Sequence, residues 1–207
     1  EIRTLQRIDK SGFKSLKKNG QKSGNYFVVG DQAIKNGEPV LYAEGYSTSA
    51  SIAEATGRPV VMTVDAGNLL RVAEKLKEKY PDSPHVILGD DDRDKIVNGK
   101  AVNKGLEQAM EAAKITSGAF LVPKFNDQEQ KTGLTDFNDL HQSRGLDAVR
   151  EQVEEIVAQS LKEKNMSPQN KDKSTDPVIT ENFEQYVNRG LQLEPTQEKP
   201  ISKTGKY

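Results

Sequence analysis

The sequence has no cysteine. Disulfides and thiolate zinc sites are therefore excluded. Apolar residues are also scarce, at 34% of 207. That is too little for every segment to join a packed core, so part of the chain is expected to stay solvated. No apolar run approaches the roughly 18–20 residues of a membrane span, and no secretory leader stands out. These absences lead us to expect a cytoplasmic protein with no membrane contact. Charge of one sign is missing as well: the formal net charge is −1, which by itself argues for no nucleic-acid partner. A P-loop is absent, because Gly20-Gln-Lys-Ser lacks the required glycine spacing after a strand. Histidine occurs only as His85 and His141, in neither a metal-ligand pair nor a persuasive serine triad. His85 heads an apolar run and reads as structural. The chain starts at Glu1 rather than Met and is polar at both ends, so a piece of a larger polypeptide is expected.

Two stretches dominate what is present. Leu41-Tyr-Ala-Glu44-Gly45-Tyr46 and Val86-Ile-Leu-Gly-Asp90-Asp91-Asp92 are apolar runs that end abruptly in carboxylates. Short apolar runs bounded by Gly or Pro read as buried parallel strands. In open parallel α/β sheets, ligands bind outside the carboxyl ends of the strands. Glu44, Asp90 and Asp92 are therefore expected at one sheet edge. Hard oxygen ligands without cysteine suit Mg²⁺ or Mn²⁺, often completed by substrate phosphates.

The rest of the chain supports a layered α/β fold. Residues 1–38 carry eight basic residues against four acidic ones. The β-like runs Thr4–Ile8 and Tyr26–Val29 and the turn signals at Asp9–Gly12 and Lys18–Gly20 predict a small antiparallel unit with a lysine-rich loop, Lys14 to Lys22. Central strands are expected at Pro39–Ala43, Pro59–Val64, His85–Gly89 and Ala119–Val122. A helix should follow Gly45, with Ser47 or Thr48 as its N-cap. Leu69, Val72, Ala73, Leu76 and Tyr80 share one helical face, as do Leu106, Ala109, Met110 and Ala113. Residues 123–135 read as a polar loop, and a last helix is expected from Gly145. The predicted organisation is a basic β-rich segment at 1–38, an α/β domain at 39–160, and a linker with a weakly structured tail at 161–207.

Each candidate residue also has an ordinary explanation. Lys14, Lys17, Lys18 and Lys22 can be a solvated hairpin or a phosphate-tracking patch. Glu44 can serve the next helix N-terminus. Asp90, Asp91, Asp92 and Asp94 can be a solvated acidic loop. Asp136, Asn138 and Asp139 can cap a helix or support a metal site. What favours a site is the combination: two strand ends presenting acids, separated by one helix–strand–helix–strand passage, with a divalent cation as the usual remedy for carboxylate repulsion.

Glu44-Gly45 after one strand and Asp90-x-Asp92 after a later one resemble the Toprim domain shared by bacterial-type primases, topoisomerases and some nucleases. Ala43-Glu-Gly-Tyr-Ser-Thr-Ser-Ala-Ser-Ile, Asp65-Ala-Gly-Asn-Leu69, Lys79-Tyr-Pro-Asp82, Asn103-Lys-Gly and Asp136-Phe-Asn-Asp-Leu140 are similar to the primase-like Toprim proteins of conjugative plasmids and phages. So are Leu5-Gln-Arg-Ile-Asp and Gly20-Gln-Lys-Ser-Gly24. The resemblance covers about residues 4–158. It implies a Rossmann-like fold with a four-stranded parallel central sheet flanked by helices. It also implies an Mg²⁺-dependent site on Glu44, Asp90 and Asp92, with Gly45, Asp136, Asn138 and Asp139 in support. For the primase branch it implies short RNA primers made on single-stranded DNA from ribonucleoside triphosphates. Lys14, Lys17, Lys18 and Lys22 would be DNA contacts. A metal-dependent nuclease, or a non-catalytic DNA-binding module of a conjugation protein, uses the same residues. A topoisomerase is disfavoured, since its nucleophilic-tyrosine domain has no room here. Primases often carry a zinc module, for which this chain has no cysteine.

Overall fold

The computed structural model describes residues 2–91, 96–97, 100–101, 103–165 and 178–179. Four short runs, VLYA, VVM, HVIL and AFL, are wholly buried. Burial on both faces is what lets such runs be continuous rather than alternating. They are β4 (Val40–Ala43), β5 (Val60–Met62), β6 (His85–Leu88) and β9 (Ala119–Leu121), and they pair parallel in the order β9-β6-β4-β5. The expected four-stranded parallel centre is thus present. It is extended by antiparallel β3 (Phe27–Val29) beside β5, and by a two-residue parallel strand, β10 (Val178–Ile179), beside β9.

Side chains alternate between the two faces. Leu41, Ala43, Val86 and Leu88 face a core completed by Ile52, Phe137, Val149 and Val153. Those partners come from α1 (Tyr46–Thr56), α5 (Phe137–Arg144) and α6 (Leu146–Asn165). On the other face Val40, Tyr42 and Ile87 meet Leu69, Val72, Leu76, Leu106 and Ala109, from α2 (Ala66–Lys79) and α3 (Lys104–Thr116). Each fully buried Leu, Ile, Val or Phe contributes about 1.5–3 kcal/mol. Polar contacts fix the layers laterally. Arg58 closes a two-pronged pair on Glu154, Nε to Oε1 at 2.8 Å and a terminal nitrogen to Oε2 at 2.9 Å. Arg150 Nε reaches the Ala55 carbonyl at 2.6 Å.

The basic N-terminal segment begins with a separate hairpin, β1 (Gln6–Ile8) paired with β2 (Lys14–Leu16). Lys14 thus starts a strand rather than a loop. The Asp9 carboxylate holds the turn by accepting from the Ser11 and Phe13 amides. A second small ribbon joins β7 (Ile96–Val97) to β8 (Lys100–Ala101).

Three local expectations change. The α1 N-cap is Gly45, with no side-chain bond. Thr48 instead donates to Asp136, and Ser49 donates back to the Gly45 carbonyl at 2.8 Å. Residues 123–135 contain α4 (Asp127–Lys131), closed by a capping box between Asn126 and Glu129. Asp136 opens the separate helix α5, also through a capping box, with Asp139. Much of the predicted tail, 166–177 and 180–207, lies outside the described residues. Among the described residues no helix is long and apolar enough to cross a membrane.

Candidate acidic site at the sheet edge

β4 and β6 are neighbours, in register Leu41 with Val86. Glu44 and Asp90 therefore leave the sheet at the same edge. Each residue is half-buried, yet Glu44 Oε1 and Asp90 Oδ1 are both shut off from solvent. Gly105, in the first turn of α3, marks where they meet. A Cβ there would lie 3.2 Å from Glu44 Oε1, 3.2 Å from the Asp90 carbonyl and 3.7 Å from Asp90 Cβ. A side chain there would crowd both acids, so the glycine lets α3 begin close to them. The positive end of the α3 dipole then lies beside two carboxylates.

Asp91 has a different job. It is 1% exposed; its amide donates to the Thr135 carbonyl at 2.8 Å, and its Oδ1 accepts from Asn103 Nδ2 at 2.9 Å. Asn103 Oδ1 in turn caps α3 by accepting from the Leu106 amide at 3.2 Å. Asp91 therefore fixes the helix that carries Gly105. Asp92, the third expected ligand, lies outside the described residues, as does Asp94.

The four lysines separate. Lys14 Nζ would be 3.3 Å from a Cβ on Gly45, so this ammonium sits beside the residue that follows Glu44. Lys22 Nζ bonds Asp65 Oδ2 at 2.5 Å, with both side chains about one-third to one-half exposed; screening keeps such a pair weak. Lys17 and Lys18 are exposed at the turn after β2. The Asp136 group braces α1: Thr48 Oγ1 donates to Asp136 Oδ2 at 2.9 Å. Ser51 Oγ lies 3.3 Å from Asn138 Oδ1 and 3.0 Å from His141 Nδ1. Asp139 Oδ2 accepts from the Thr135 amide at 2.8 Å. Because α1 starts directly after Gly45, this brace positions Glu44.

Sequence reasoning missed Gly105, the Asp91–Asn103 link and the Ser51–His141 contact. The Asn103-Lys-Gly105 motif was the available signal for the first two: an Asn cap followed two residues on by a glycine that no cap requires. The hard-oxygen donor pair fits a divalent cation. Among the described residues no group of three His, Cys, Asp or Glu side chains forms a ready-made cage.

The fold is a doubly wound α/β domain: a parallel sheet with helices on both sides, an acidic pair at adjacent strand ends and a glycine helix start against them. The Toprim domain family profile matches residues 40–147, and the chain belongs to that family. Two curated relatives, both DNA primase TraC of Escherichia coli, are 43% and 40% identical to it over 123 residues, or 59% of this chain. The aligned part is only 12% and 8% of their respective lengths, so the chain corresponds to a small part of those proteins. No solved structure matches significantly. At the level of the family, the similarity is to primase-type enzymes.

Proposed function

We propose that this chain carries the metal-binding part of a DNA primase-type nucleotidyltransferase within a larger conjugation or phage replication protein. The observation that carries this reading is the convergence of Glu44 and Asp90 on Gly105, in a chain similar to two curated primases. Glu44, Asp90 and Asp92 would hold Mg²⁺ or Mn²⁺, which when bound supplies charge stabilisation at the attacking and leaving oxygens. In priming, a ribose 3′-hydroxyl attacks the α-phosphorus of a ribonucleoside triphosphate, the new P–O bond forms, and pyrophosphate leaves. Glu44 would orient the attacking hydroxyl or take its proton. Lys14, beside Gly45, supplies a positive charge for the template or nucleotide phosphates. Lys17 and Lys18 extend that charge outward along the hairpin. Asp136, Asn138 and Asp139 keep α1, and hence Glu44, in place.

The test uses the full-length parent with single-stranded DNA, labelled ribonucleotides and Mg²⁺. Short labelled products that disappear in Glu44→Gln are expected. Shortened template without labelled product, also lost in Glu44→Gln, would establish a metal-dependent nuclease instead. Intact DNA binding with neither activity would make this a non-catalytic module.

A further inference from the structure

The hairpin that carries Lys14 is attached to the domain mainly by polar contacts. Its large apolar side chains, and those leading into it, all stay exposed to a substantial degree: Ile2, Leu5, Ile8, Phe13 and Leu16 are 39–81% exposed. Burial of apolar surface therefore does little to fix its position. What fixes it is the segment after it. The Lys17 amide donates to the Leu5 carbonyl, and the Gln21 amide to the Arg3 carbonyl. Gly20 packs so closely on Thr4 that no side chain fits. This segment then runs into Asn68, which is 1% exposed and lies in the first turn of α2. Asn68 Oδ1 accepts the Gly24 amide at 2.8 Å, and its Nδ2 donates to the Asn25 carbonyl at 2.8 Å and the Thr63 carbonyl at 2.9 Å. Asp65 completes the junction, capping Asn68 through Oδ1 while its Oδ2 holds Lys22. Between strand and cap, Val64 adopts φ +78°, a conformation rare for a β-branched residue and retained only where its surroundings dictate it.

We infer that Asp65 and Asn68 are positioning residues: acting through residues 20–25, they clamp the basic hairpin so that Lys14 stands beside Gly45, at the acidic edge. The inference rests on the proposed reading of that edge as a nucleic-acid phosphate site. Lys14 Nζ comes within 3.3 Å of where a Gly45 side chain would begin, and the clamp is what holds its hairpin there. Asn68 is suited to the task because a carboxamide satisfies one amide and two carbonyls at once.

The test exploits the absence of cysteine. Spin labels on Lys10→Cys and Glu54→Cys, both exposed, report the distance from hairpin to α1 in the 207-residue chain. One narrow distance is expected in the otherwise unaltered protein, and a broadened or shifted one in Asn68→Ala, with the Mn²⁺-dependent rise in melting temperature retained. Lys22→Met breaks the same junction from its exposed side, and it carries the test should Asn68→Ala lose its cooperative melt. Binding of labelled oligo-dT gives the functional readout. Lys14→Ala should lower the slope of log affinity against log salt by about 0.7, the loss of one single-strand phosphate contact. In the Asn68→Ala background the same substitution should change nothing further. An unchanged narrow distance, or strictly additive losses, would overturn the clamp. An unaltered chain that binds no oligo-dT while the labels behave as expected would overturn the phosphate-site reading instead.

Discussion

Lowering the pH should destabilise this fold through one buried histidine. His85 opens β6 and is 1% exposed. Its Nε2 is 3.3 Å from the Tyr80 carbonyl, and its Nδ1 is 2.6 Å from the Tyr42 hydroxyl. The neutral tautomer with the proton on Nε2 satisfies both: it donates to the carbonyl and accepts from the phenol. Burial pushes the imidazole down to about 4, against the favourable Tyr80 carbonyl, with Lys77 adding to the depression. In the unfolded chain the group returns to an ordinary value of about 6.5. Between those values the unfolded state binds a proton that the folded state refuses, so stability is full above about pH 6.5 and falls as pH drops towards about 4. The difference corresponds to on the order of 3 kcal/mol, a large share of a typical 5–15 kcal/mol. Urea melts across this window would measure it, with His85→Gln as reference; the variant should be less stable at neutral pH and should lose most of the slope. Because the chain has two histidines, NMR assignment by that same variant is direct. A His85 signal titrating with an ordinary midpoint, or an identical pH slope in His85→Gln, would refute the reasoning.

Two substitutions test close approaches at glycines. Gly105→Ala would put a methyl 3.2 Å from Glu44 Oε1 and from the Asp90 carbonyl, so the rise in melting temperature with Mn²⁺ should shrink while the melt without metal stays cooperative; an unchanged rise would separate α3 from the acidic site. Gly118→Ala would drive a methyl into the His85 backbone carbonyl, where rigid strands cannot yield, and should cost more than about 3 kcal/mol in a urea melt.

The parallel sheet was legible because its strands are buried on both faces. VLYA and HVIL carry no alternation that could be mistaken for a half-exposed hairpin, and the acids at their ends follow from chain direction alone. Helix α2 was equally plain, since Leu69, Val72, Ala73 and Leu76 fall on one side and all are buried. Capping was the weak point. Thr48 has the chemistry of an N-cap, but Asp136, 88 positions later, claims its hydroxyl. No local pattern announces such a long-range partner. Helix α5, ahead of the helix expected from Gly145, was hidden for a related reason. Asp136 and Asp139 could be read as site residues or as a cap, and the capping box shows that the cap is formed.

The run Asp90-Asp91-Asp92 shows why charge in sequence does not assign chemistry. Three identical side chains in a row predict only that neighbours leave an extended segment on opposite sides. Within β6 the alternation is set by apolar packing. Ile87 faces the α2–α3 layer, and Leu88 the α1–α5–α6 layer. Past Leu88 the strand has ended and its alternation no longer decides: Asp90 comes beside Gly105 and Glu44, while Asp91 turns inward to Asn103 and the Thr135 carbonyl. A buried carboxylate of this kind is costly unless its bonds are made, and Asn103 makes one of them while also capping α3. Asp91, just past the end of β6, and Asn103, at the start of α3, are thus bonded to each other. That closure explains how one helix start can be held against two acids from different strands: Asp91 does not add to the acidic pair but fixes the backbone on which the pair converges.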